Sequence, residues 1–310
     1  MCCWRKVWGN ARYGREAVDC KITGIVVRIS LIVTTYNRPQ ALDRVLESLA
    51  AQETMPHEVI VADDGSGQET AAVVAGWQAR FPVPLRHVWH QDLGFRAAEA
   101  RNMAVASSSA DYLIFLDGDC LVFGDFIARH RTLAEYGRMV VGNRMLLSEA
   151  LTDATLAGET RLLAWSWSQW RAAQVRGEVN RVLPLLRLPG QAWRRLRPRR
   201  WRGVHTCNLG LWRDDFVVAN GFDEHYQGWG HEDADLAIRL MRYGVLRKDG
   251  QFAVPVLHLW HRENDRGSEA ENRARLDNVI NGNRPIRAKI GLDRHFGENP
   301  SPLGTGGQMP

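Results

Sequence analysis

The sequence has no hydrophobic run long enough to cross a bilayer. The longest, GIVVRISLIVTTY, is interrupted by Arg28 and falls short of the roughly 20 apolar residues that a spanning helix needs. A secretory signal is missing as well. The first residues carry Arg5, Lys6, Arg12 and Arg15, with no apolar stretch behind them and no small-residue cleavage site. The expected compartment is the cytoplasm. Cysteine offers no scaffold: Cys2, Cys3, Cys20, Cys120 and Cys207 form no CxxC pair and leave one over in any pairing. Reduced thiols, no structural disulfide and no zinc follow as expectations. No internal repeat is found. Acid is missing from residues 180–203, where Arg181, Arg187, Arg194, Arg195, Arg197, Arg199, Arg200 and Arg202 stand without a single Asp, Glu or Lys. That local +8, set against a net charge of +5, leaves about −3 for the rest of the chain, so the basicity is a patch.

What is present is an ordinary folded composition, 45% hydrophobic and 24% charged over 310 residues. From Ile25 onward, apolar strand patterns alternate with helical ones. IVVRISLIVTT reads as a buried strand, and PQALDRVLESLAAQ as a helix entered through Pro39 with Leu42, Val45, Leu46 and Leu49 on one face. HEVIVADDGS, PLRHVWHQD and DYLIFLDGD read as further strands, with helices over residues 68–80 and 95–108 between them. Such alternation predicts an α/β fold with a mostly parallel sheet. The second half is less regular. GWGHEDADLAIRLMRYG predicts a helix from about Asp233 to Tyr243, closed by Gly244, and QFAVPVLHLWH a last strand. Residues 1–22 show no pattern and are left unassigned, and the tail over residues 296–310 reads as disordered.

Polar residues collect at the carboxyl ends of the strands. Thr34, Thr35, Tyr36 and Asn37 follow the first; Asp63 and Asp64 the second; His90, Gln91 and Asp92 the third; Asp117 and Asp119 the fourth. In an open parallel sheet those ends share one edge, where ligands bind. The usual phosphate grips are absent, with neither GxxxxGK[ST] nor GxGxxG after the first strand. A divalent cation on Asp117 and Asp119 would neutralise a phosphate in their place, since hard cations take carboxylate oxygens. His258 and His261 follow the last strand, and imidazole beside carboxylate favours a transition metal such as Mn2+ over Ca2+.

SLIVTTYNRPQALDRVLESLAAQ, EVIVADDGS, HQDLGFRAAEARNMAV and YLIFLDGDC, in this order, resemble the nucleotide-sugar half of glycosyltransferase family two, with its GT-A fold. GFDEHYQGWGHEDADLAIRLMRYG followed by HLWHREN is similar to the C-terminal part of β-1,4-galactosyltransferases and bacterial chondroitin-type polymerases. The resemblance divides the chain into a nucleotide-sugar half over residues 23–124 and an acceptor-binding, catalytic half over residues 125–295 that contains the Arg/Trp segment. It implies metal-dependent inverting transfer of a sugar from a nucleotide donor, UDP-sugar first, to a hydroxyl of a glycan or lipid-linked saccharide such as lipopolysaccharide core or capsule. By motif position it implies donor contacts from Thr34, Tyr36, Asn37, Asp64, Asp92, Arg101 and Asp117. Metal ligation falls to Asp117, Asp119 and His261, joined by His258 where the galactosyltransferases carry a methionine. Mn2+ is the implied cation, with Mg2+ the alternative. Acceptor contacts fall to Trp229, Glu232 and Asn208, and the base is Asp233 with Glu232 beside it. His231 stands where a glycine is often found. Asp235 is read as structural, four residues before Arg239.

Two other classes compete. Arginines interleaved with tryptophans would suit a polyanion or nucleic-acid binder, but the ordered strand-end motifs argue against it and no nucleic-acid partner is expected. A nucleotidyltransferase would carry a basic, Gly-rich signature after its first strand, which TTYNRP is not. The arginines, with Leu183, Leu185, Leu186, Leu188, Trp193 and Trp201 among them, instead suggest docking on an anionic membrane surface, with the enzyme peripheral at the inner face of the cell membrane, or on a lipid-linked, phosphate-bearing acceptor such as a lipopolysaccharide core.

Overall fold

A computed structural model describes residues 27–262 and 266–297. The unassigned segment over residues 1–22 lies outside them, as does the expected tail from residue 298 onward. The first half alternates as the pattern predicts: β1 (Ile29–Thr35), α1 (Pro39–Ala50), β2 (Glu58–Asp63), α2 (Gln68–Gln78), β3 (Leu85–Trp89), α3 (Ala97–Ser107) and β4 (Tyr112–Asp117). Then follow β5 (Cys120–Val122), α4 (Phe126–Leu133), β6 (Arg138–Val141), β7 (Asn143–Leu146), α5 (Glu149–Leu156) and α6 (Trp167–Val175). The chain continues through β8 (Asn208–Trp212), α7 (Arg213–Val218), α8 (Glu232–Tyr243), β9 (Leu246–Asp249), β10 (Pro255–His258) and α9 (Glu269–Ile280).

Seven strands form one sheet in the order β3-β2-β1-β4-β8-β6-β9. The pairs among β3, β2, β1 and β4 are parallel, as is β6 with β9, while β8 runs antiparallel to both β4 and β6. Period-two burial explains the layers. Along β1, Ile29, Leu31 and Val33 face a core shared with α1 and α2, whereas Ile32 faces a second core with residues of α3, α7 and α8. Both faces of the sheet are covered, which is why β1, β2 and β4 read as nearly unbroken apolar runs.

The last strand differs from its expectation. Only Pro255–His258 is extended, and it joins a separate three-stranded sheet, β5-β10-β7, instead of the main one. In that small sheet His258 is register partner to Cys120, one residue after the acid pair, and the Leu259 amide donates to the Asp119 carbonyl at 2.9 Å. A contact across 140 residues is thereby fixed by backbone pairing. Strands β5 to β9 were not legible, being three to five residues long and paired at long range.

α8 starts and stops as its sequence indicates. Glu232, Asp233 and Asp235 occupy its first turn, where the helix dipole favours acid. Gly244 closes it at φ +113°, a conformation that costs glycine nothing. Asp235 and Arg239 form a fully buried ion pair at 2.7 Å, as their spacing predicts.

Candidate active site

Two acids can stand one residue apart at the end of β4 because the residue between them is glycine. The Gly118 amide donates to the Thr34 carbonyl at 2.7 Å, and a Cβ at position 118 would meet that oxygen at 2.9 Å. The acid turn is therefore clamped onto the end of β1. Asp117 is held by Arg101, whose Nη2 lies 3.4 Å from Oδ1. Asp119 accepts from Arg38 Nη1 at 2.8 Å, with His258 Nε2 at 3.6 Å and His261 Nε2 at 3.4 Å from its carboxylate.

The electrostatics of this cluster follow from its burial. Desolvation pushes the Asp117 carboxyl above its ordinary range, opposed by Arg101 and reinforced by the neighbouring Asp119. Burial also lowers the His258 imidazole, against the pull of Asp119, and so favours the neutral ring that a metal requires. The buried Cys120 thiol is pushed well above its usual value, first by desolvation, and stays protonated beside Asp119. One ligand atom each from Asp119, Cys120 and His258 lies within 4.8 Å of the others. With the thiol protonated, the donors that fit a divalent cation are carboxylate oxygen and imidazole nitrogen.

Arg101 joins the ends of β1 and β4 to the start of α8. Its buried guanidinium donates to Thr34 Oγ1 at 3.0 Å and to Glu232 Oε1 at 3.1 Å, besides its contact with Asp117. Burial alone would lower its pKa, but Asp117 and Glu232 outweigh it and the net shift is upward. Glu232 is raised by burial and by Asp233, with Arg101 acting against both. Asp233 turns the other way, its Oδ2 lying 3.2 Å from Nδ1 of a half-exposed His205. The preceding turn is strained: His231 has φ +77°, between Gly230 at +106° and the helix. A side chain in that conformation is uncommon and marks a constrained site.

The remaining candidates fall into two groups. Tyr36 and Asp92 face each other across the ends of β1 and β3, hydroxyl to carboxylate at 2.9 Å. Asn37, at φ +46°, accepts from the Gly67 amide at 2.9 Å and ties the first strand end to the second. Asp64 is buried and already takes the Arg96 amide and His90 Nε2, at 2.9 Å each. The structure does not bring Asn208 to the cleft surface. It is buried in β8, its amide nitrogen donating to the Val254 carbonyl and its oxygen 3.1 Å from His130 Nε2. Trp229 lies under Arg266, whose guanidinium carbon is 4.8 Å from the ring centroid.

Sequence reasoning missed Arg38, His205 and Arg144. Arg38 directly follows the polar run at the end of β1 and could have been included with it. No local signal links His205 to Asp233, or Arg144 to the acidity of Asp117, on which it exerts a downward pull.

Residues 30–181 match the family model described as glycosyl transferase family 2, and residues 195–252 the one described as the N-terminal domain of galactosyltransferase. A validoxylamine A glucosyltransferase of Streptomyces hygroscopicus subsp. limoneus is 32% identical over 239 residues, 72% of this chain and 50% of the relative. Pasteurella multocida hyaluronan synthase is 29% identical over 270 residues, 81% of this chain and 26% of the relative. The chain thus spans about half the length, or less, of these curated relatives. Staphylococcus aureus TarS 1-349 in complex with UDP superposes with a TM-score of 0.53 at 12% identity, covering 86% of this chain and 68% of that one. The mannosyltransferase PcManGT from Pyrobaculum calidifontis, solved with GDP-Man and Mn2+, gives 0.53 at 18% identity, covering 88% and 69%.

A doubly covered, mostly parallel sheet with acids at its carboxyl edge is thus a GT-A fold. The chain belongs to glycosyltransferase family 2.

Proposed function

We propose that the protein transfers a sugar, with inversion, from a UDP-sugar to a hydroxyl of a glycan or lipid-linked saccharide. The observation that carries this reading is the convergence of His258 and His261 on Asp119 beside the Arg101–Asp117 pair, at the edge where an α/β sheet takes its ligand. Asp119, His258 and His261, with Asp117 adjacent, would hold a divalent cation, Mn2+ in preference to Mg2+. When bound, that cation supplies Lewis-acid neutralisation of the diphosphate. Thr34, Tyr36, Asn37, Asp64, Asp92 and Arg101 would line the donor side. The UDP in the TarS complex and the GDP-Man with Mn2+ in PcManGT favour a nucleotide at this edge.

In the transfer step the acceptor oxygen bonds to the anomeric carbon while the bond to the diphosphate oxygen breaks, its electron pair leaving with the nucleotide. The acceptor proton passes to a carboxylate. Asp233 suits that role better than Glu232, because Glu232 is engaged by Arg101 whereas Asp233 faces His205, which reaches solvent. Glu232 and Trp229 would anchor the acceptor. A lipid-linked acceptor would be met at the inner face of the cell membrane.

Calorimetric titration with UDP tests the reading. Wild type should bind more tightly when Mn2+ is added, and Asp119→Ala should lose that gain while keeping its melting temperature. Unchanged metal dependence in the variant would remove Asp119 from the site. A panel of nucleotide sugars assayed for Mn2+-dependent hydrolysis would then identify the sugar.

A further inference from the structure

The eight arginines of residues 180–203 are not one solvated patch. Arg194 is buried and gives its guanidinium entirely to main-chain carbonyls: Gly190 at 3.0 Å, Leu188 at 2.9 Å, Asp249 at 3.0 Å and Gln251 at 2.6 Å. Arg187 binds the Ala253 carbonyl at 2.8 Å and Asp125 at 3.0 Å, and Arg195 pairs with Glu135 at 2.9 Å. These three pin the segment to the body. From the body side, Arg247 donates its amide to the Pro198 carbonyl at 2.8 Å and its side chain to the Arg202 carbonyl at 3.1 Å. The result is a fixed strap of short turns with little regular structure.

What the strap leaves outside is chemically uniform. Arg197, Arg199, Arg200 and Arg202 are exposed and form no ion pair among the described residues. On the same segment Leu196 is 76% exposed, Leu183 57%, Leu188 44% and Leu186 39%. Leucines held open on a segment that also carries exposed arginines without an ion pair among the described residues, on a backbone tied down by buried hydrogen bonds, are not explained by folding. Trp201 links the strap to α8 by packing against Ala234 and Ile238, and the chain then reaches His205, the partner of Asp233.

We propose that this strap is a docking surface for an anionic lipid bilayer, in which Arg197, Arg199, Arg200 and Arg202 meet headgroup phosphates and the exposed leucines enter the interface. Charge complementarity selects an anionic partner, and the leucines select a bilayer over a nucleic acid or a soluble polyanion, which offers them nothing apolar to enter. Docking there sets α8 beside the surface, where a lipid-borne acceptor would lie. That last link rests on the transfer reading; the docking does not.

Flotation at physiological salt tests it, using vesicles of phosphatidylcholine alone and of phosphatidylcholine mixed with phosphatidylglycerol. Wild type should float with the mixed vesicles only. Replacing Arg197, Arg199, Arg200 and Arg202 together with serine should lower partitioning at least a hundredfold, at roughly fivefold per basic residue. Leu183→Ser with Leu196→Ser should weaken it at unchanged charge. Both variants should keep Mn2+-dependent UDP binding, because none of these side chains touches the donor edge; the leucine variant should also keep the wild-type melting temperature, whereas the arginine variant loses the Arg202 guanidinium that lies 4.9 Å from the Trp201 ring centroid. Wild type that fails to float with the mixed vesicles overturns the proposal. So does a leucine variant that binds the mixed vesicles as wild type does. Vesicle binding without UDP binding would leave docking standing and sink the transfer reading; the converse would do the reverse.

Discussion

The donor edge and the arginine strap position their residues by opposite means. At the donor edge the backbone does it: parallel register sets Thr34 opposite Asp117 and Thr35 opposite Asp63, and the side chains that project there then bond one another. In the strap there is almost no ladder, and guanidinium groups take its place. Arg194 satisfies four carbonyls. Arg239 does the same work under α8, reaching the carbonyls of Ala219, Gly221 and Ile286 while paired with Asp235. Five donors in a rigid fork let one arginine satisfy carbonyls that no strand or helix serves. Regular structure therefore suits an edge where side chains from several strand ends must meet at once. Arginine clamps suit a segment that must present its outer face without extending the sheet.

If that contrast holds, one substitution should loosen the strap and spare the edge. Arg194→Met keeps the aliphatic stem but removes every donor, leaving buried carbonyls of Leu188, Gly190, Asp249 and Gln251 without this partner. A cost of about 3 kcal/mol is expected, since hydrogen bonds from a charged donor are worth roughly 1.5–3 kcal/mol each and the loop relaxes in part. The thermal midpoint should drop by several degrees. UDP affinity with Mn2+ should be unaffected. A variant as stable as wild type would mean that the clamp contributes nothing, and lost UDP binding would mean that the two regions are coupled.

The reverse separation is made at the start of α8. Asp233→Asn keeps the shape of the side chain and a hydrogen bond to His205, but cannot take up the acceptor proton. Turnover should fall about a hundredfold or more, in line with general-base contributions, while donor affinity and the melting curve stay as they are. In steady-state kinetics the loss should appear in kcat and leave donor KM unchanged. Near-normal turnover would hand the role to Glu232.

How far the sequence can be read follows from the same contrast. Strands β1 to β4 and helices α1 to α3 were legible because burial on both sheet faces writes itself into nearly unbroken apolar runs in the strands and 3.6-residue patterns in the helices. The acid pair, the strand-end clusters and α8 with its Asp235–Arg239 pair were legible for that reason too. The convergence of His258 and His261 on Asp119 was suggested only by residue chemistry and by resemblance, since the pairing of β10 with β5 that produces it leaves no mark within four residues of strand. Arg194 is the plainest failure. It sits in a run of arginines that looks uniformly solvated, and nothing in QAWRRLRPRR distinguishes the buried guanidinium from Arg195 or Arg197. Asn208, expected near the acceptor, faces inward because β8 is covered on both sides, which a five-residue strand does not announce.

The joint between the regions offers the smallest effect and the sharpest sign. His130, on α4, is fully buried against Asn208 of β8, the strand that connects β4 of the donor side to β6. Phe126 lies at 4.6 Å ring to ring, and Nδ1 has no hydrogen-bond partner among the described residues. A second proton would have to enter a site closed to water, so burial lowers the imidazole pKa to about 4, with Asn208 only partly offsetting it. In the unfolded chain the same group titrates near its ordinary value of 6.5. Between those values the unfolded state binds a proton that the native state refuses. Stability from this group is therefore complete above pH 6.5 and is lost as pH falls toward 4. At 1.36 kcal/mol per unit, the loss amounts to about 2 kcal/mol by pH 5. His130→Gln retains a donor for the Asn208 oxygen and cannot titrate. The variant should be less stable than wild type at pH 7.5, by about 1 kcal/mol, yet lose about 2 kcal/mol less on going to pH 5. Urea midpoints at the two values decide it, because Asp117, Glu232 and Asp235, whose raised pKa values act in the opposite direction, are common to both proteins and cancel in the difference. Equal acid sensitivity in the two would mean that His130 takes up its proton inside the fold, and the packing of α4 against β8 would then be wetter than its burial indicates.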